Sequence, residues 1–432
     1  MKFPGRRKSK HYFPQSDKAR LAFDQVGPGQ NAGFVMGLCQ LLVDIEANVT
    51  EELLNRYQIK KGESLVLSDN VVEELYNELK KKNLIEGEYA GGAVGNTLHN
   101  YCILSDCQSI LLGSITETIR VGDYAFKYIC NTHSSVNLDY LRPCPGPMGR
   151  ALCLVTPDFD RTFVISRGIM DDFESEDVPV DLLAKSSALL ITSFLMRDPS
   201  RPIYKAVLRA VEVAKTNNVP VVLGLGTAGV IGQNPSFYLD FIKNYVNVVA
   251  GNKSEYQALL GMDDSLLSLE KLLDYTDMAL LTVGARGLYI GSHCDQSLLR
   301  TTKDQLHSKS IAEYNLYEYS RAQRKSDCQT PTKIYTHINP YMGGPMVIKN
   351  TNGAGDAALA AVLHDMAANN FHKQKFPNSP KHVSSFLTYS SIHQISKYAN
   401  RASYEVLLQN SPRLLGGLPD KEDSLEESYW AK

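Results

Sequence analysis

Residues 350–363 read NTNGAGDAALAAVL, two glycines and an aspartate ahead of an alanine- and leucine-rich run. The run AALAAVL needs a helix, so Gly353, Ala354, Gly355 and Asp356 stand at a helix N-terminus. A tight turn accounts for the glycines, a helix cap accounts for the aspartate, and a phosphate site accounts for both. The first backbone N–H groups of a helix lack partners inside it, and the aligned peptide dipoles add roughly half a positive charge there. Glycines remove the Cβ atoms that would keep a phosphate away. Asp356 near this positive end is expected to be ionised at neutral pH, a weak base with an ordinary carboxylate pKa of about 4. It would accept a proton from a hydroxyl poised against the phosphate. Close helix–strand packing, with Asp356 complementing the dipole, also explains the segment, so the rest of the chain has to decide.

Upstream, short apolar runs alternate with helix-period stretches. GFVMGLCQLLVDI (33–45) begins as a buried strand, and SALLITSF (187–194), VPVVLGLG (219–226), VNVVAG (246–251) and MALLTVG (278–284) read the same way. Helical patterns separate the later runs, at 203–216, 236–244 and 253–260. DNVVEELYNELKKK (69–82) is an amphipathic helix, with Val72, Leu75, Tyr76 and Leu79 on one face and Asp69 as its N-cap. Repeated βαβ order predicts an α/β fold, a mostly parallel sheet covered by helices, with ligands bound beyond the carboxyl ends of its strands. Two segments break the alternation. Residues 148–168 (MGRALCLVTPDFDRTFVISRG) read as a hairpin, suited to a lid or an oligomer contact. Residues 291–349 show little periodicity and much tyrosine, as a functional connection, a subunit contact or a mobile segment does.

The 45 Lys and Arg nearly balance the 47 Asp and Glu among 432 residues, so neither nucleic acid nor an anionic membrane is expected as principal partner. Eight scattered cysteines form no C-x-x-C pair, so neither a disulfide scaffold nor a zinc site is expected. The basic opening MKFPGRRKSKHYFP lacks the apolar core of a signal peptide, and no apolar run approaches the ~20 residues that span a bilayer. A cytoplasmic protein is expected.

Other glycine-rich stretches sort themselves by context. Gly224, Gly226 and Gly229 fit G-x-G-x-x-G, but Gly232 and Pro235 interrupt the helix that a dinucleotide site requires, and no acid follows at the needed spacing. No G-x-x-x-x-G-K-[ST] occurs. In AGGAVGNTLHNY (90–101), Gly91 and Gly92 let the backbone approach a ligand, and Asn96 offers a donor and an acceptor; a glycine loop that merely starts a helix fits equally. In NKSE (252–255), Asn252 and Glu255 match a capping box, and they also suit the water shell of a Mg²⁺ ion.

Taken in order, these pieces resemble the ribokinase-like (PfkB) family of sugar and nucleoside kinases, from about residue 33 to residue 405. Asp44 matches the family's contact to sugar hydroxyls, and GG-x-x-x-N at Gly91, Gly92 and Asn96 is similar to its sugar motif. N-x-x-E at Asn252 and Glu255 resembles the Mg²⁺–phosphate motif, and T-x-G-x-x-G at Thr282, Gly284 and Gly287 the nucleotide-binding turn. G-A-G-D at Gly353–Asp356 resembles the anion hole and catalytic base.

The resemblance implies a parallel central sheet with helices on both faces and a small β lid, here the 148–168 hairpin. A kinase domain over 33–405 would carry an N-terminal extension (1–32), the 291–349 insertion and a C-terminal tail (406–432). It further implies ATP as co-substrate, Mg²⁺ and a monovalent cation such as K⁺. The family motif has an acid where this chain has Asn350, which removes a charge from that cation site. Arg161 in the lid turn is a candidate for the γ-phosphate, and Asn400 for the neighbourhood of the adenine. The opening, the insertion and the tail narrow the resemblance to kinases of purine nucleosides, with guanosine or inosine as acceptor. A homo-oligomer through the lid or the insertion is the expected assembly.

Overall fold

Six runs in this chain are apolar at nearly every position rather than at alternate ones, the signature of strands buried on both faces. In the computed structural model, which describes residues 33–62, 64–158 and 161–418, they form the middle of one large sheet. The strands in chain order are β1 (Val35–Leu38), β2 (Leu42–Asn48), β3 (Ser64–Val66), β4 (Ile85–Ala90) and β5 (Ser109–Thr116). Then come β6 (Val136–Asn137), β7 (Leu141–Cys144), β8 (Gly149–Val155), β9 (Arg161–Ser166) and β10 (Leu189–Thr192). The last are β11 (Val221–Gly224), β12 (Val248–Asn252), β13 (Met278–Thr282), β14 (Leu288–Asp295) and β15 (Pro331–Ile338).

The main sheet has the order β15-β14-β13-β12-β11-β10-β1-β5-β6, with β7 also pairing β5. From β13 to β6 every pairing is parallel, and β14 and β15 add an antiparallel edge. The principal helices are α1 (Glu51–Arg56), α2 (Asp69–Lys81), α3 (Ala93–Ser105), α4 (Tyr124–Cys130), α5 (Pro202–Thr216) and α6 (Ala228–Ile231). They continue with α7 (Pro235–Tyr245), α8 (Lys253–Leu260), α9 (Ser265–Leu272), α10 (Ala354–Lys375) and α11 (Ile392–Leu407). Apolar side chains of α3, α10 and α11 pack in one core, and those of α5, α7, α8 and α9 in the other. Helices on both faces of a parallel sheet were the expectation, and they are what the chain forms.

A second sheet, β3-β9-β8-β2-β4, contains the expected hairpin as β8 and β9. On β2, Val43, Ile45 and Ala47 enter a core with Leu53, Leu54, Val72, Leu75 and Leu79 of α1 and α2. The two-residue period of a strand therefore turns Asp44 and Glu46 to the other face. This alternation, local to five residues, is what delivers Asp44 to the site.

Three details differ from the sequence expectation. Ser68, not Asp69, occupies the N-cap of α2; Asp69 is its first helical residue and accepts the Ser166 hydroxyl. The stretch 291–349 holds most of β14 and all of β15, whose pairing with each other lends them order that periodicity does not reveal. After GLGTAG a helix does open, capped by the Thr227 side chain, but α6 stops after one turn, with Gly232 at its C-cap. The expected extension 1–32 and residues 419–432 of the tail lie outside the described residues. No helix of the described residues is long and apolar enough to cross a membrane.

Candidate active site

The first group of candidate residues is placed by the turn from β4 into α3. The Gly91 N–H donates to the Leu42 carbonyl at 2.9 Å, which brings this backbone hard against β2. A Cβ on Gly91 would collide with the Asp44 carboxylate. Gly92 has a φ of +89° and would drive a Cβ to 2.8 Å from the Gln40 carbonyl. Both positions thus need glycine, for different reasons. One turn into α3, Asn96 is buried and its Nδ2 donates to Asp356 Oδ2 at 3.2 Å.

That bond joins residues 260 positions apart in the sequence. Asp356 sits in the first turn of α10, whose N-cap is Gly353 with a φ of +81° and no side-chain cap. A Cβ on Gly353 would collide with the Pro412 carbonyl, whereas one on Gly355 would meet nothing within 4 Å. The helical ladder starts with Ala357 N–H donating to the Gly353 carbonyl at 2.9 Å, so the N–H groups of Ala354, Gly355 and Asp356 precede it. An open, side-chain-free approach to three such groups suits an anion.

Burial pushes the Asp356 carboxyl up to about 6, against the opposing influence of the Asn96 hydrogen bond and the Arg413 charge. The sequence expectation of about 4 counted the helix dipole and omitted the crowding of protein around the group. Burial likewise lifts Asp44 to about 7, opposed by Arg413 and reinforced by the charges of Asp356 and Glu46. The Arg413 charge acts on both carboxyls, and the charge of Asp356 acts on Asp44.

The second group lies at the ends of β12 and β13, where Asn252 and Thr282 are register partners. The capping box is fully formed: Asn252 Oδ1 accepts from Glu255 N at 3.0 Å, and Glu255 Oε2 accepts from Asn252 N at 2.9 Å. Asn252 Nδ2 also donates to Glu255 Oε1 at 2.7 Å. Burial pushes Glu255 up to about 7, and the charge of Asp356 adds to the effect. Thr282 Oγ1 lies 3.5 Å from the Gly251 carbonyl. Beyond it, Gly284 at φ +53° faces open space, while Gly287 at φ +82° is pressed against the Ile338 carbonyl.

Asn400 of α11 is buried and donates to the Asn339 carbonyl at 2.6 Å, so it anchors the loop after β15. Arg161 opens β9, and its side chain lies outside the described residues. Asn350 is 2% exposed; its Oδ1 accepts from Asn352 N at 2.8 Å and its Nδ2 donates to the Asn410 carbonyl at 2.7 Å.

Sequence reasoning missed Arg413. It placed this residue in a tail beyond the kinase domain, yet Arg413 Nε donates to Asn96 Oδ1 at 2.9 Å. The only local signal is an arginine set between Pro412 and two leucines, which marks a charge held in an apolar setting.

No family model matches the sequence. Over 433 residues, and 100% of both chains, it is 51% identical to guanosine-inosine kinase of Escherichia coli (strain K12). A probable sugar kinase from Rhizobium etli CFN 42 superposes with a TM-score of 0.68 at 17% identity, over 93% of this chain and 99% of that one. Adenosine kinase from Sinorhizobium meliloti does so with a TM-score of 0.65 at 20% identity, over 89% and 96%. Those two likenesses establish the ribokinase-like fold, and the full-length identity establishes more: the chain belongs to the guanosine-inosine kinase family.

Proposed function

We propose that this chain transfers the γ-phosphoryl group of ATP to the ribose 5′-hydroxyl of guanosine or inosine. The observation that carries the chemistry is the meeting of Asp44, Asn96 and Asp356 beside the uncapped start of α10. The choice of nucleoside is supported by the relative of 51% identity, which is named for these two substrates.

Phosphoryl transfer asks a protein mainly to position groups and stabilise charge. Asp44 accepts hydrogen bonds from the ribose 2′- and 3′-hydroxyls, with Gly91, Gly92 and Asn96 completing the cradle. Asp356 faces the 5′-hydroxyl and takes its proton as the bond to phosphorus forms. A carboxylate raised to about 6 stays ionised at neutral pH and is a better base than a free aspartate. The N–H groups of Ala354, Gly355 and Asp356 stabilise the charge on the transferring group. Thr282, Gly284, Gly287 and Asn400 bound the adenosine side, and Arg161 of the lid is the candidate for the γ-phosphate.

Mg²⁺ supplies positive charge at the ATP phosphates when bound. Its water shell would be held by Asn252 and Glu255, and Glu255, a buried carboxyl beside the Asp356 charge, fits a cation nearby. Asn350 brings no carboxylate charge to a monovalent-cation site, and its oxygen accepts from the Asn352 N–H.

A coupled ADP-release assay over guanosine, inosine, adenosine, ribose and a fructose phosphate tests the reading. Turnover is expected with guanosine and inosine. Preference for adenosine or free ribose would overturn the substrate, and MgATP binding with no turnover across the panel would make the chain a non-catalytic nucleotide-binding module.

A further inference from the structure

Beyond α11 the chain returns across the first turns of α3 and α10. The Asn410 carbonyl accepts from Asn350, the Pro412 carbonyl abuts Gly353, and Leu414 N donates to Asn100 Oδ1 at 2.7 Å. The Leu414 carbonyl lies 3.0 Å from His99 Nε2. Held between these anchors, Arg413 is 3% exposed, with its guanidinium 5.0 Å from the centre of the Tyr128 ring. Its Nη1 donates to the Asn131 carbonyl at 3.1 Å and the Thr132 hydroxyl at 2.9 Å, and its Nε donates to Asn96 Oδ1.

We propose that Arg413 is a positioning residue for the phosphoryl transfer, fixing the Asn96 amide so that its nitrogen faces the Asp356 carboxylate. A guanidinium only donates, so only the amide oxygen of Asn96 can face it. That leaves the amide nitrogen for Asp356, and an ionised carboxylate only accepts. Both hydrogen bonds of the relay from Arg413 through Asn96 to Asp356 can therefore form in one orientation alone. Turned over, Asn96 would set oxygen against carboxylate and N–H against guanidinium. Among the described residues, no other hydrogen bond to the Asn96 oxygen selects between the two.

The same side chain brings positive charge to a cluster of acids. The groups whose charges act on or are acted on by Asp356 are Asp44 of β2, Cys39 between β1 and β2, Glu255 of α8 and Arg413 itself. Of these only Arg413 favours the ionised carboxylate. Removing it moves Asp356 toward the protonated form, in which it accepts no proton.

This proposal rests on the kinase reading above, and its test separates the two. In Arg413→Met, kcat for the nucleoside is expected to fall at least ~30-fold while KM for MgATP stays within ~3-fold, the pattern of a lost positioning contact. The acid limb of the kcat profile, expected near pH 6 in the wild type from the Asp356 carboxyl, moves to higher pH. Arg413→Lys restores the position of the limb and only part of kcat, because an ammonium brings charge without the Nε edge. Wild-type kcat with an unmoved limb in Arg413→Met overturns the proposal. If that variant does not fold, wild-type kcat in Arg413→Lys overturns it instead. Independently of turnover, ¹³C-aspartate NMR, with the Asp356 signal assigned by its loss in Asp356→Asn, is expected to show a higher titration midpoint in Arg413→Met. An unchanged midpoint also sinks the relay. A wild-type protein that phosphorylates no nucleoside would refute the kinase reading, and the NMR arm would still decide this one.

Discussion

Helices α8 and α10 pack on opposite faces of the main sheet, yet the charges at their first turns, Glu255 and Asp356, oppose each other. Their N-termini solve the same problem in opposite ways. At α8 the side chains of Asn252 and Glu255 satisfy each other's backbone N–H groups in a closed box. At α10 the N-cap is a glycine in the left-handed region, no side chain caps the turn, and the space over Gly355 is open. A helix start that is closed by its own residues has little left to offer an anion, and one left open by glycine keeps its donors for a ligand. The contrast leaves the two helix starts with different groups to offer a ligand.

The largest effect that would break this contrast is at α10. Asp356→Asn is expected to lower kcat at least ~100-fold, as loss of a general base does. Near-normal turnover would remove the base from this helix. The same variant should not lose thermal stability at neutral pH. The folded-state pKa of Asp356 is about 6, above its ordinary value of 3.8, so folding favours the protonated carboxyl and ionisation costs stability as pH rises between those values. A neutral asparagine escapes that cost, so its Tm relative to wild type should improve from pH 4 toward pH 8 in a calorimetric series.

Gly355→Ala sharpens the comparison at intermediate size. Alanine is better than glycine in a helix by up to about 1 kcal/mol, and the structure has room for the methyl group, so stability should rise slightly. If that room is where phosphate charge gathers, kcat/KM for ATP should fall by ~10-fold. Unchanged ATP kinetics would show that the opening serves no ligand. At α8 the expectation reverses: Asn252→Ala should cost about 1 kcal/mol in denaturant melts, the usual loss of an N-cap, and raise the Mg²⁺ concentration that half-saturates turnover while leaving turnover at saturating Mg²⁺ within a few-fold of wild type. A collapse in turnover with unchanged stability would mean that the box is not chiefly structural.

The parallel sheet was legible because its strands are continuous apolar runs, and Gly91, Gly92, Gly353 and Gly355 because each stands at or beside a helix start. Asn252, Glu255, Gly353 and Asp356 could be found for the same reason: cap chemistry acts over three or four residues. What escaped reading acts over hundreds. Arg413 meets a residue 317 positions away, and nothing within its own neighbourhood encodes that contact. The edge strands β14 and β15 escaped because His293, Tyr335 and Thr336 blur any simple alternation, and their order comes from pairing. The raised carboxyl of Asp356 escaped because burial is a property of the assembled cleft, while the dipole is a property of one helix.

The clamp of Pro412 on Gly353 also orders events during synthesis. A chain leaving the ribosome completes β1 through α11, with the strand ends and the open start of α10, before residues 410–414 emerge. Until they do, Asn96 lacks the partner that orients it toward Asp356. Nucleotide-binding surfaces would thus exist ahead of a correctly held base, and a chain stopped short of Arg413 would own the parts of a kinase without their alignment. On this reading, alignment of the base would wait on residues made after α11.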